Sequence, residues 1–245
     1  MSNRSMALLQ LGKTLFCATS LVAGITGCAT RHDAQQLQVL SGNGTDRAAV
    51  VRAQETIAGL FPPRYRATQR AIITVRRRQF TCDGALMVSP DTGCHLAVVS
   101  SLGLVTDLRV NNDGGCEILK VTPLFHEAWS RQFVARDLRW LFLPPANPEP
   151  AGRLADGRIV LQTRAAADGM LARYVFASTG DRWQELELVK NGRSYYHVTV
   201  RRYGAFGGIP AEVPCEFDVA AGPYRLDLRI VELTVPSAPG REGPP

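Results

Sequence analysis

Lysine is scarce in this 245-residue chain: only Lys13, Lys120 and Lys190 stand among its 28 basic residues, so arginine carries most of the formal net charge of +6. No run reaches the roughly 18–20 uninterrupted apolar residues that a helical membrane span needs. Six cysteines are too few for a disulfide-scaffolded knot at this length. Disorder combines low apolarity with high charge, whereas this chain is 45% hydrophobic and 20% charged. No regular long period marks a repeat array. What remains is a globular body with enough apolar residues for a core.

Recognisable chemistry is equally sparse. There is no Gly-x-Ser-x-Gly elbow, phosphate loop or Gly-x-Gly-x-x-Gly turn. His126-Glu127 begins like a zinc-protease helix, but Ser130 occupies the place of the second histidine. Residues 111–113 lack the downstream bidentate glutamate of a calcium loop and suit a tight turn. His32, His95, His126 and His197 are scattered, and without a partner motif structural roles outweigh catalytic ones. No catalytic residue, metal or cofactor is expected.

The N-terminus carries the strongest signal. Arg4 and Lys13 precede an apolar stretch, no acid occurs before Asp33, and the stretch ends in Ile25-Thr26-Gly27-Cys28. This resembles the lipobox of bacterial lipoproteins. The resemblance implies that residues 1–27 are a signal peptide, that Cys28 bears the acyl chains, and that residues 28–44 form a tether. Ala29, where an aspartate would retain an inner-membrane lipoprotein, favours the outer membrane on the periplasmic side. Two or three acyl chains anchor a domain stably, at about 0.8 kcal/mol per buried methylene. An ordinary secretory signal is the competing reading. In an oxidising compartment the remaining Cys82, Cys94, Cys116 and Cys215 are candidates for two disulfides, or for one disulfide and two buried thiols. The absence of a close Cys-x-x-Cys pair disfavours zinc.

A helix is expected after Thr45, with Asp46 in its first turn, Val50, Val51, Ile57 and Leu60 on its apolar side, and Phe61-Pro62-Pro63 as its stop. Extended runs follow at residues 72–81, 85–89, 95–101, 105–110 and 117–121, separated by turn-forming segments at 89–93, 102–103 and 111–115. Thr122-Pro123 is a helix-start pair. Further runs at 158–164, 170–177, 183–190, 194–202 and 224–235 form a second meander, with Lys190-Asn191-Gly192-Arg193 as its clearest hairpin turn. The proline-rich stretch at 144–150 reads as a loop and residues 236–245 as a loose tail. The fold class is therefore α+β: one domain over residues 45–235, built on a curved antiparallel sheet with helices packed on or plugging its concave face.

Phe125, Trp129, Phe133 and Trp140 recur at helical spacing and put four aromatics on one face. Such a stripe packs a helix on a sheet, or lines a cavity that accepts alkyl chains. Six arginines and no acid lie between Arg64 and Arg78. They suit a solvated sheet face, or a basic patch for anionic headgroups or an acidic partner.

The order of helix, strands, helical insert and strands is similar to the LolA/LolB carrier fold. Residues 209–214 and the alternating segment 222–230 resemble its closing proline-containing strand and final strand. This resemblance implies a non-enzymatic lipoprotein that binds or shuttles an acyl-chain ligand, with Phe125, Trp129, Phe133, Trp140, Leu226 and Leu228 as candidate ligand contacts. It also implies an exposed apolar loop, for which Leu102 is the candidate. Expected partners are the membrane, through the acyl chains, and a lipid or acylated ligand; nucleic acid is not among them. The alternative is a structural adaptor that binds a periplasmic or envelope protein.

Overall fold

The computed structural model describes residues 37–38, 44–123, 126–145, 147–164 and 170–236. The expected signal peptide, Cys28 and most of the expected tether lie outside them. Twelve antiparallel strands form one curved sheet in the order β5-β4-β3-β2-β1-β12-β11-β10-β9-β8-β7-β6. Its first half contains β1 (Tyr65–Val75), β2 (Arg78–Ser89), β3 (Gly93–Ser100), β4 (Gly103–Val110) and β5 (Cys116–Val121). The second contains β6 (Glu149–Arg153), β7 (Ile159–Arg164), β8 (Leu171–Phe176), β9 (Trp183–Lys190), β10 (Arg193–Gly204), β11 (Val213–Ala221) and β12 (Tyr224–Thr234). Within each half every strand pairs with its neighbour in sequence. The pairing of β1 with β12, in which Val75 faces Tyr224 and Arg66 faces Thr234, joins the halves. The outermost strands β5 and β6 do not meet, so the sheet stays open.

Alternation decides which side is buried. Tyr65, Ala67 and Gln69 of β1 point inward between exposed Arg66, Thr68 and Arg70. Tyr224, Leu226, Leu228 and Ile230 of β12 do the same, after which a bulge opposite Thr68/Gln69 displaces the alternation, so that Val231 and Glu232 are both exposed and Leu233 turns inward. The expected run at 72–81 is therefore two strand ends around a turn at Arg76-Arg77, where Arg76 has φ 56°. β1 also begins earlier than expected, because inward Ala67 and Gln69 are weak hydrophobic markers. The arginine-rich stretch is the solvent face of β1 with this turn; Arg64 pairs with Asp91 at 2.7 Å and Arg70 with Asp83 at 3.0 Å.

The turn at Asn191-Gly192 is as expected, with both residues at positive φ (51° and 71°) as a two-residue hairpin of right-handed twist requires. One strand escaped the sequence reading, and another begins later than the proline-containing strand that the resemblance put at 209–214. β6 lies in the proline-rich stretch and is an edge strand, where Pro150 costs no interior ladder bond. β11 carries Pro214 next to register shifts against β10.

Helix α1 (Gly44–Ala58) packs on β7 and β9 through Ala49, Val50, Ala53 and Ile57, while Val51 is exposed, against expectation. Alanines serve here because the β8–β9 turn approaches closely: Gly180, at φ 80°, sits where an added Cβ would lie 2.1 Å from the Ala49 carbonyl oxygen. Thr56 Oγ1 donates to the Gly180 carbonyl at 3.0 Å, and Gln54 Nε2 to that of Pro148 at 3.1 Å.

All four described cysteines are free thiols, which corrects the disulfide expectation. Cys94 on β3 and Cys116 on β5 both face Val110 of the intervening β4. Two strand spacings put them roughly 9–10 Å apart, beyond the ~7 Å reach of a disulfide. Cys82 on β2 and Cys215 on β11 are separated by β1 and β12. Burial pushes the Cys94 thiol up to about 12 and raises that of Cys82, which disfavours the reactive thiolate.

Gly180→Ala should destabilise the domain by about 2–3 kcal/mol, since it adds both a positive-φ penalty and a backbone clash. A denaturant midpoint close to that of the parent protein would show that α1 does not depend on this close approach.

Candidate functional site

Between β5 and β6 the chain crosses the concave face as a helical insert of three joined parts: α2 (Glu127–Trp129), a π-helical turn (Ser130–Val134) and α3 (Ala135–Phe142). Its cap is His126, whose Nδ1 accepts from the Ala128 amide at 3.2 Å; Thr122 instead extends the sheet edge, its amide bonded to the Val105 carbonyl. The helix start thus lies later than the Thr122-Pro123 pair indicated. In the π turn the Ala135 amide reaches the Ser130 carbonyl, five residues back. The inward series becomes Trp129, Val134, Leu138 and Leu141, with a five-residue step where an α-helix uses four.

That extra residue re-sorts the aromatic stripe. Trp129 lines a cavity under the insert, together with Leu226 and Leu228 of β12. Phe133 lies tilted against Trp129 and edge-on to Tyr224, at ring-centroid distances of 5.5 Å to each, behind the cavity wall. Trp140 is turned away and buried in the core. Phe125 lies outside the described residues. The structure therefore brings Trp129, Leu226 and Leu228 together, and adds Val134, Leu138 and Leu141 as wall residues that regular α-helical spacing could not indicate.

The cavity holds about 80 Å³ of free space, and its walls are almost entirely apolar. Polar contacts fasten its borders. Ser130, fully buried, donates through Oγ to Thr106 Oγ1 on β4 at 3.2 Å. Farther along, the Tyr224 hydroxyl donates to Asp137 Oδ2 at 2.5 Å, and Arg136 donates to the Tyr224 oxygen at 3.1 Å. The Arg136 guanidinium lies 4.6 Å from the Tyr196 ring centroid and 5.2 Å from that of Phe133, so the cation is enclosed by aromatic faces. The Tyr196 hydroxyl leans on the Asp137 carboxylate without good hydrogen-bond geometry. Burial pushes the Asp137 carboxyl up to about 6, against the opposing pull of Arg136 and of the Tyr224 and Tyr196 hydroxyls.

The other chemistry-bearing residues serve the outer face. His95 pairs with Asp107 at 2.6 Å. Glu185 lies between Arg158 at 2.5 Å and His197 at 3.5 Å, and these partners hold its carboxyl near 2. Among the described residues no three His, Cys, Asp or Glu side chains gather as a metal site. Leu102 stands at the tip of the β3–β4 turn and is 82% exposed.

Known structures share this architecture. A domain from Vibrio parahaemolyticus, described as an outer membrane lipoprotein-sorting protein domain, superposes with a TM-score of 0.55 at 10% identity, over 79% of this chain and 94% of that one. A LolA superfamily protein from Nitrosomonas europaea superposes with a TM-score of 0.53 at 13% identity, over 80% of this chain and 96% of that one. No protein-family model and no curated protein matches the sequence. At such identities the fold is what is shared: the domain has the LolA-like open sheet with an insert on its hollow side.

Asp137 makes stability depend on pH in a defined direction. Its folded pKa lies above its unfolded value of 3.8, so the folded state binds the extra proton. That contribution is complete below pH 3.8 and is lost as pH rises through about 6. Asp137→Asn, which keeps an acceptor for Tyr224, should remove a slope of up to about 1.4 kcal/mol per pH unit within that window. Urea titrations at a series of pH values measure it, and identical slopes in both proteins would contradict the assignment.

Proposed function

We propose that this protein is a non-enzymatic lipoprotein carrier, tethered by acyl chains on Cys28 to the periplasmic side of the outer membrane, which receives an acyl chain or similar lipid-like ligand between its insert and its sheet. The observation that carries this reading is the apolar cavity bounded by Trp129, Leu226 and Leu228 beneath a separately fastened helical insert. A sheet face filled to native density would have favoured the adaptor alternative instead. The LolA-like architecture and the lipobox resemblance support an envelope setting, and the nature of the cavity wall supports an alkyl ligand without covalent chemistry.

The free space of about 80 Å³ is far below the roughly 300–1,000 Å³ of occupied small-molecule pockets. Loading therefore requires the insert to move outward. Its fastening suits this movement: besides apolar packing, the Ser130–Thr106 and Tyr224–Asp137 hydrogen bonds join it to the sheet, and hydrogen bonds re-form at little net cost when water is admitted. The exposed Leu102 at a hairpin tip fits the apolar loop that delivers a ligand to a bilayer.

Two measurements test the reading. Cells expressing Cys28→Ala should release the protein from the membrane fraction, whereas the unaltered chain stays with it; equal partition would remove the tether. The purified domain should bind a pyrene-labelled acyl ester, and Leu228→Trp, which fills the cavity, should weaken that binding at least tenfold with little loss of fold. Absence of probe binding together with absence of co-purifying lipid would overturn the carrier function.

A further inference from the structure

One polar side chain faces the cavity without a partner. Gln69 is the only strongly polar residue in the inward series Tyr65, Ala67, Gln69, Ala71 and Ile73 of β1. It is 4% exposed, and its Nε2 has no hydrogen-bond partner. Leaving such a donor buried is costly in an apolar surrounding. The local backbone is shaped around it. The β12 bulge lies beside Gln69, and on its other side Gly84 of β2 is its direct cross-strand partner. A Cβ at Gly84 would lie 3.8 Å from the Gln69 Cβ and 3.3 Å from Leu96 Cδ1, so the glycine leaves room between Gln69 and Leu96.

The residues lining the cavity also constrain charge. Among those described there is no lysine, arginine or histidine, and Arg136, at the farther border behind them, is already engaged by Tyr224, Asp137 and the Tyr196 ring. The cavity's two acids already have arginine partners, Asp83 with Arg70 and Asp137 with Arg136 at 3.8 Å. An incoming carboxylate or phosphate would lose its hydration with no cation to replace it. An uncharged carbonyl loses far less and accepts one hydrogen bond.

Resting on the carrier reading above, we propose that Gln69 is the polar anchor of the cavity: its amide donates to the carbonyl of an uncharged acyl ester or amide, whose alkyl chain lies along Trp129, Leu226 and Leu228. Gln69 thereby sets specificity for the neutral ester over both the free fatty acid and the bare alkane.

Competition against the pyrene-labelled ester at pH 8, using methyl laurate, laurate and dodecane, tests the assignment on the purified domain. Methyl laurate should bind roughly tenfold more tightly than either of the others. In Gln69→Leu its advantage over dodecane should vanish while dodecane binding is kept. Gln69→Met, with an unbranched chain, serves if the leucine variant does not fold. A second readout is independent of affinity: the infrared carbonyl stretch of ¹³C-labelled methyl laurate should move to lower frequency in the parent protein and not in the variant. Equal binding of all three ligands in parent and variant, or an unshifted carbonyl band, would mean that Gln69 is met by a buried water only, and would overturn the anchor while leaving the carrier intact. Failure of every probe to bind would instead overturn the carrier reading itself.

Discussion

The pairing of β1 with β12 is the constraint on which the rest of the molecule depends. Each half of the sheet is a meander that local turns can build, and each half alone would expose a broad apolar face. Only the long-range ladder between residues 66–75 and 224–234 makes them one surface. The ladder also assembles the site, since β1 and β2 bring Gln69 and Gly84 to one side of the cavity while β12 brings Tyr224, Leu226 and Leu228 to the other. Closing so long a loop must await most of the intervening chain.

Once the sheet curves, its hollow side has to be covered, and the two helical regions cover it differently. Helix α1 meets the second half through small residues and a close backbone approach, which makes a tight contact. The insert meets the β1–β4 and β12 region across a partial void, with polar contacts at its borders. A buried carboxylate, an enclosed arginine and two tyrosines form the farther border. Breaking one member of such a group leaves the others without partners, so its members stabilise one another.

Much of this architecture was legible in sequence because strand alternation and turn chemistry are local. Asn191-Gly192, Leu102-Gly103 and the 111–115 segment marked their hairpins through residues that tolerate positive φ. What could not be read depended on tertiary context. β6 hides behind a proline that only an edge tolerates, and of β11 only the proline-containing start was read, from the resemblance, while its run to Ala221 was not. The Ala67 and Gln69 end of β1 carries little hydrophobic signal. Cysteine number suggested pairing, yet strand order keeps the thiols apart. At the site, Trp129 was singled out by aromatic spacing and Leu226 and Leu228 by the fold resemblance, whereas Trp140 was misplaced and Val134, Leu138 and Leu141 were missed. One π turn accounts for all four, because a single additional residue rotates everything after Val134 relative to everything before Ser130.

The same rotation divides the three tryptophans by environment. Trp140 and Trp183 are sealed in the core, while Trp129 borders the cavity, with Tyr224 at 5.7 Å and Phe133 at 5.5 Å. The protein therefore carries its own optical gauge: of its indoles, the emission of Trp129 is the one coupled to what fills the hollow of the sheet.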